Sequence, residues 1–214
     1  MRRLAPLLFA LSLGLPVAAS AQSLWLGAKA GVDRASWSGN LGASSKPFGT
    51  RTGVTAGATV SLRFSELLAL QLEALYSEKG ATRPDGFRAT VAYLEIPLLV
   101  RVTLPLRALP IQPMAMAGVA PAWEISCGAL ARPNYIPEAP PPPAIPMDCI
   151  GWRTERRDVG TVLAGGVEIP MRGFEVTAEV RRTSGHSNIA RGYTLSTYNR
   201  AWSFVIGAAF AVRT

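Results

Sequence analysis

Histidine and cysteine are almost missing from this chain of 214 residues, which holds one of the first and two of the second. Two thiols and the distant imidazole of His186 do not make the closed four-ligand set of a structural zinc site, and no metal or other cofactor is implied. Beyond residue 21 no stretch approaches the roughly 18 consecutive apolar residues that a spanning helix requires. That excludes a helical membrane span. Charge is scarce as well: 17% of residues are charged and 49% are hydrophobic. This apolar surplus needs a place to be buried.

The one long apolar run is N-terminal. Arg2 and Arg3 precede "LAPLLFALSLGLPVA", and Ala19-Ser20-Ala21 follows as an A-x-A site. That order of basic, apolar and small residues is the pattern of a cleaved secretory signal peptide over residues 1–21, leaving a single domain over 22–214. No cysteine follows the cleavage point, so a lipoprotein anchor is not expected. Export to an oxidising compartment makes a disulfide the default state of Cys127 and Cys149.

What the rest of the chain has in quantity is alternation with a period of two. In "LALQLEALYSEKGA", Leu68, Leu70, Leu72, Ala74 and Tyr76 share one face of an extended strand, opposite Ala69, Gln71, Glu73, Leu75 and Ser77. In "GVTAGATVSLRF" the apolar face is Val54 to Phe64, and in "RAWSFVIGAAFAV" it is Trp202 to Val212. Strict alternation over such lengths argues for strands, and the Thr, Gly and Ser between the apolar positions disfavour helix. Eight such segments are expected, at about residues 24–33, 52–64, 68–80, 89–104, 111–126, 158–170, 174–184 and 199–213. Most match or exceed the roughly 9–11 residues with which a tilted strand crosses a bilayer.

The connections alternate in length. Short turns follow the second, fourth and sixth segments, and the longest connections are 34–51, 127–157 and 185–198. This layout predicts an all-β, eight-stranded antiparallel up-and-down transmembrane barrel of the bacterial outer membrane, with the long loops outside. Aromatic girdles fit the same reading: Phe64, Phe174 and Phe210 at the periplasmic ends, and Tyr76, Trp123 and Trp202 toward the outer ends. A soluble lipocalin-type barrel would reverse the faces, but it has no need of paired girdles.

With the apolar faces in lipid, Lys29, Arg63, Glu73, Glu95, Arg101, Glu124, Glu168, Glu175, Glu179 and Arg181 project inward. The interior of an eight-stranded barrel is about filled by side chains, so these charges are expected to pair in a lumen network. A narrow conduit for ions or small solutes is the alternative. Glu175 and Glu179 sit about 13 Å apart along a strand, too far to share a proton.

The basic surplus falls on the expected outer connections, at Arg34, Lys46, Arg51, Arg83, Arg88, Arg153, Arg156, Arg157, Arg191 and Arg200. Outer-membrane lipids are the expected partner, since basic groups at a charged membrane surface are each worth about 1 kcal/mol. Nucleic acid is not an expected partner at that location. The loop between Cys127 and Cys149 holds seven prolines, four of them consecutive, which favours a stiff polyproline II segment. Such a loop suits either a protein partner or a protease-resistant cap.

Enzymatic signal is weak. Ser184 precedes His186 by two residues, and Glu179 or Glu124 is the nearest candidate carboxylate for a lipid-hydrolysing triad. No motif frames them, and the expectation is a non-enzymatic barrel.

"LQLEALYSEKGA" followed by "YLEIPLLVRV" resembles the PorT-like outer-membrane β-barrel family. "GAKAGVDRASWSG", "DVGTVLAGGVEI" and "EVRRTSGHSNIA" extend the resemblance over nearly all of 22–214. It implies an eight-stranded outer-membrane barrel and, as one possible role, an accessory of a secretion or gliding apparatus. It implies no activity.

Overall fold

The structure is a computed structural model that describes residues 23–39, 48–106, 108–132, 142–147, 156–189 and 196–212. The expected signal peptide 1–21, Cys149 and most of the Pro-rich loop lie outside the described residues. The elements are β1 (Ser23–Gly39), β2 (Gly49–Arg63), β3 (Leu68–Thr82), β4 (Arg88–Glu95), β5 (Leu98–Thr103), β6 (Gln112–Ala131), β7 (Ile145–Met147), β8 (Arg157–Met171), β9 (Phe174–Gly185) and β10 (Thr197–Val212).

Every pairing is antiparallel. Consecutive wall strands pair in order from β1 to β6, then β6 with β8, β8 with β9 and β9 with β10. β10 pairs back onto β1 from Leu24↔Val212 to Gly39↔Thr197, and the ring closes with no free edge. β4 and β5 are halves of one wall strand, since both lie between β3 and β6. The wall is therefore an eight-stranded up-and-down barrel.

The fourth strand, expected unbroken over 89–104, is interrupted at Ile96-Pro97 because proline has no N–H to give to the ladder. The wall is not breached there. Ile96 N–H donates to Pro121 O at 2.8 Å, and Glu73 N–H donates to Pro97 O at 3.0 Å.

The periplasmic end is made by tight turns. Ser65 Oγ accepts from the N–H of Leu67 (3.2 Å) and of Leu68 (3.1 Å), a side-chain-closed turn. Arg172-Gly173 joins β8 to β9 with Gly173 at φ +72°, a left-handed conformation that glycine adopts without steric cost. At the outer end the strands run further than alternation alone indicated. β1 continues to Gly39, β6 to Ala131, and β7 folds back on β6 at Ala129↔Met147. Consequently Arg34, Arg51, Arg88, Arg157 and Arg200 are strand residues and not loop residues.

The two faces divide by chemistry. Outward positions carry exposed apolar side chains such as Ile206 (65%), Phe210 (60%) and Leu163 (58%). An apolar surface of this extent belongs in lipid and not in water. Inward positions carry most of the buried charge. Two apolar clusters complete the interior: Leu99, Met114, Met116, Ala120 and Val162 along the wall, and Trp37, Phe87, Val91, Tyr93 and Ile189 toward the outer mouth.

Candidate functional site

The lumen is the place where most of the chain's buried charge meets. Because side chains alternate across a strand, the inward row of β3 is Ala69, Gln71, Glu73, Leu75, Ser77 and Lys79, all buried. Matching rows on the other strands set charges in three tiers.

The lowest tier lies near the periplasmic turns. Arg63 and Arg101 each contact both Glu168 and Glu175, with Arg63–Glu168 and Arg101–Glu175 both at 3.1 Å. Thr103 Oγ1 donates to Glu168 at 3.3 Å, and the Arg63 guanidinium lies 4.3 Å from the Trp25 ring centroid. Two cations and two anions balance.

The middle tier is also neutral. Lys29 contacts Glu73 at 2.9 Å and also Glu179. Arg181 holds Glu73 through both terminal guanidinium nitrogens, at 2.6 and 3.0 Å, and reaches Glu179 at 3.1 Å. Gln71 couples the two tiers: its Nε2 donates to Glu73 at 2.6 Å, and its Oε1 accepts from Arg101 at 3.4 Å and from Ser61 at 3.1 Å. Lys29 fits beside Gly207, where an added Cβ would lie 2.9 Å from Lys29 Cγ and 2.7 Å from Thr177 Oγ1.

The uppermost tier contains residues that were not in the expected lumen set. Lys79 pairs with Glu95, and Ser77 Oγ donates to Asp33 at 2.6 Å. Asn199 Nδ2 donates to Tyr93 Oη and to Asp158, both at 3.1 Å, and the Ser187 N–H donates to Asp158 at 3.1 Å. Asp33, Lys79 and Asp158 all continue the inward alternation of their own strands. That period was the available signal.

Of the ten expected lumen residues, nine fall in these tiers. Glu124 does not. At Ala92/Tyr93 the β4–β6 register slips, and Tyr93 faces Glu124 while Ala92 faces Ser126. Ile125 is the extra residue of a bulge, which turns the following side chains over. Glu124 precedes the bulge and is not turned over by it.

The girdle residues lie on the outer wall. Phe64, Phe210, Tyr76, Trp123 and Trp202 are exposed, and the half-buried Phe174 packs against Phe210 at a 4.9 Å centroid distance. Of the hydrolase candidates, Glu179 lies apart from His186. His186 Nε2 lies 2.7 Å from Thr161 Oγ1 on the outer face, whereas Glu179 is buried in the lumen with Lys29 and Arg181. Cys127 is half-buried on β6, and no free cysteine is present among the described residues.

A closed ring with an apolar exterior and an ion-paired interior is an outer-membrane β-barrel, in contact with the lipids of the bacterial outer membrane. The chain matches the outer membrane protein beta-barrel domain over residues 7–211, and it belongs to that family. Solved structures of the same fold include the outer membrane protein OprG of Pseudomonas aeruginosa, at 13% identity and a TM-score of 0.54. That match covers 91% of this chain and 97% of OprG. Neisserial surface protein A is similar at 12% identity and a TM-score of 0.52, covering 87% of this chain and 96% of that one. Escherichia coli outer membrane protein W follows at 17% identity and 0.51, covering 90% and 98%. No curated protein matches the chain. At these identities the likeness is one of fold.

Proposed function

We propose that this is a non-enzymatic outer-membrane barrel, closed to solutes, that acts structurally or by interaction through its basic outer rim. The observation that carries the reading is the Arg181–Glu73 contact. β9 and β3 are four strands apart in either direction round the ring, yet their side chains meet at 2.6 Å. A second neutral tier lies beneath. Together they favour a plugged interior over a conduit. The test is conductance of the refolded protein in planar bilayers: silence is expected, and stepwise openings would replace this reading with a narrow pore.

The separation of His186 from the lumen carboxylates supports the non-enzymatic part. Refolded protein mixed with radiolabelled phospholipid is expected to release no fatty acid; release that disappears in Ser184→Ala would reverse it. The finer placement, a PorT-like accessory of a secretion apparatus, is supported by the LYSEKGA…YLEIPLL pair alone. Co-purification with secretion components is its test. Export would use the signal peptide over residues 1–21. A Cys127–Cys149 bridge suits the β6–β7 pairing, because each cysteine is two residues from a member of the Ala129↔Met147 pair.

A further inference from the structure

One side of the outer wall combines a cluster of positive charge with an apolar hollow. On the outward face, Arg34 of β1, Trp202 of β10 and Arg182 of β9 are directly opposite one another in register. Arg200 stands two residues above Trp202, opposite Ser184. With strands about 4.8 Å apart, Arg34 and Arg182 are separated by about 10 Å, with Trp202 between them. The Arg182 guanidinium lies 5.2 Å from the Trp202 ring centroid. Among the described residues, none of these three arginines has a carboxylate partner, in contrast to Arg51 and Arg83.

Directly beneath is an apolar groove of about 470 Å³. Ala30, Val32, Gly165, Ala178, Phe204 and Ile206 contribute to its lining. The space over Gly165 is open, for an added Cβ would meet nothing within 4 Å.

The height of the patch fixes what it faces. Phe210, in the periplasmic girdle, is eight residues below Trp202 on the same strand face, about 26 Å along the strand. Tilted by about 40°, that is about 20 Å along the bilayer normal, close to the roughly 25 Å apolar band of such barrels. The arginines therefore lie at the outer headgroup level, and the groove lies at acyl-chain depth.

We propose that this face is a docking site for an anionic outer-leaflet lipid. Its phosphate would be held among Arg34, Arg182 and Arg200, and one acyl chain would lie in the groove below. Guanidinium forks suit phosphate oxygens by paired, charge-assisted hydrogen bonds. Only a molecule carrying both a phosphate and a chain fills both halves. The proposal rests on the membrane-facing assignment of the wall and not on closure of the lumen, so a conducting barrel would leave it intact.

The probe is a bis-phosphorylated, multiply acylated glucosamine disaccharide, offered to the full refolded barrel in detergent and followed by native mass spectrometry. Binding is expected to weaken on the order of a hundredfold in Arg34→Gln/Arg182→Gln/Arg200→Gln, each cation being worth roughly fivefold at a charged surface. Gly165→Phe, which fills the groove and leaves every charge in place, is expected to weaken it at least tenfold. A control carrying Arg88→Gln, Arg156→Gln and Arg157→Gln, all exposed on another part of the rim, is expected to bind within a factor of three. Equal loss in that control would overturn the proposal in favour of general rim charge. Undiminished binding of the dephosphorylated lipid, or competition by inorganic phosphate at comparable concentration, would overturn it too. Heat-modifiable gel mobility of each variant certifies that it is folded.

Discussion

Arg181 on β9 grips Glu73 on β3 with two parallel hydrogen bonds, 2.6 and 3.0 Å long, across the full width of the barrel. Both side chains are removed from solvent, and Lys29 and Glu179 complete a neutral set of four. A contact between opposite walls does two things at once. It crosses the lumen, and it ties together strands that share no ladder.

Removal of one member should therefore be costly. Glu73→Ala leaves Lys29 and Arg181 with Glu179 alone, and breaking a buried pair in this way costs about 3–5 kcal/mol. Urea unfolding in lipid vesicles is the measurement. Glu73→Leu combined with Arg181→Leu removes charge of both signs and is expected to recover more than half of the loss, because a balanced apolar replacement leaves no orphaned ion.

The two faces of the wall make opposite demands on glycine. Gly207 faces the lumen, where an added Cβ meets Thr177 and the Lys29 stem below 3.0 Å. Gly207→Val should cost about 1–3 kcal/mol by overpacking. Gly165 faces outward over open space, and Gly165→Val is expected to stay within about 0.5 kcal/mol of the wild type in the same assay. Equal effects at the two sites would mean that the faces are assigned wrongly.

Much of this was legible in the sequence, for reasons that differ by level. "LALQLEALY" reveals both its strand and its faces because the period of a strand is two and the barrel has a dry outside. Closure into eight walls followed from segment count and loop lengths. Glu124 keeps the inward phase read for it, but the bulge that follows was hidden, because a bulge is a property of two strands in register and nothing in "AWEISCG" alone marks Ile125 as the extra residue. Which inward charges meet was equally hidden: Glu73 finds Arg181 because of how the strands are staggered round the ring. The three-arginine patch was scattered, with Arg34 and Arg200 read on separate outer connections and Arg182 inside a strand. Only the β1–β10–β9 register gathers them.

Charge on the lipid face tests the height assignment. Ile206 lies midway between Trp202 and Phe210 and is 65% exposed to the surroundings of the barrel. Ile206→Arg is expected to destabilise the folded barrel by about 2–4 kcal/mol, the penalty at the bilayer midplane. Phe210→Arg, near the periplasmic interface, should lose at most about 1 kcal/mol through its charge. A reversed order of the two variants in vesicle unfolding would move the membrane band along the barrel.

The proposed Cys127–Cys149 bridge makes a prediction that separates the loop from the barrel. Closing a loop of this size contributes about 3 kcal/mol by restricting the unfolded chain, yet β6 is held by β4 and β5 on one side and, from Gln112 to Trp123, by β8 on the other. Reduction should therefore leave the heat-modifiable barrel band in place and instead expose the segment between the cysteines to protease. The readout is limited proteolysis of intact cells with and without a membrane-impermeant reductant. Cleavage within 128–148 that appears only on reduction is the expected result. The same cleavage before reduction would mean that the two thiols are not joined.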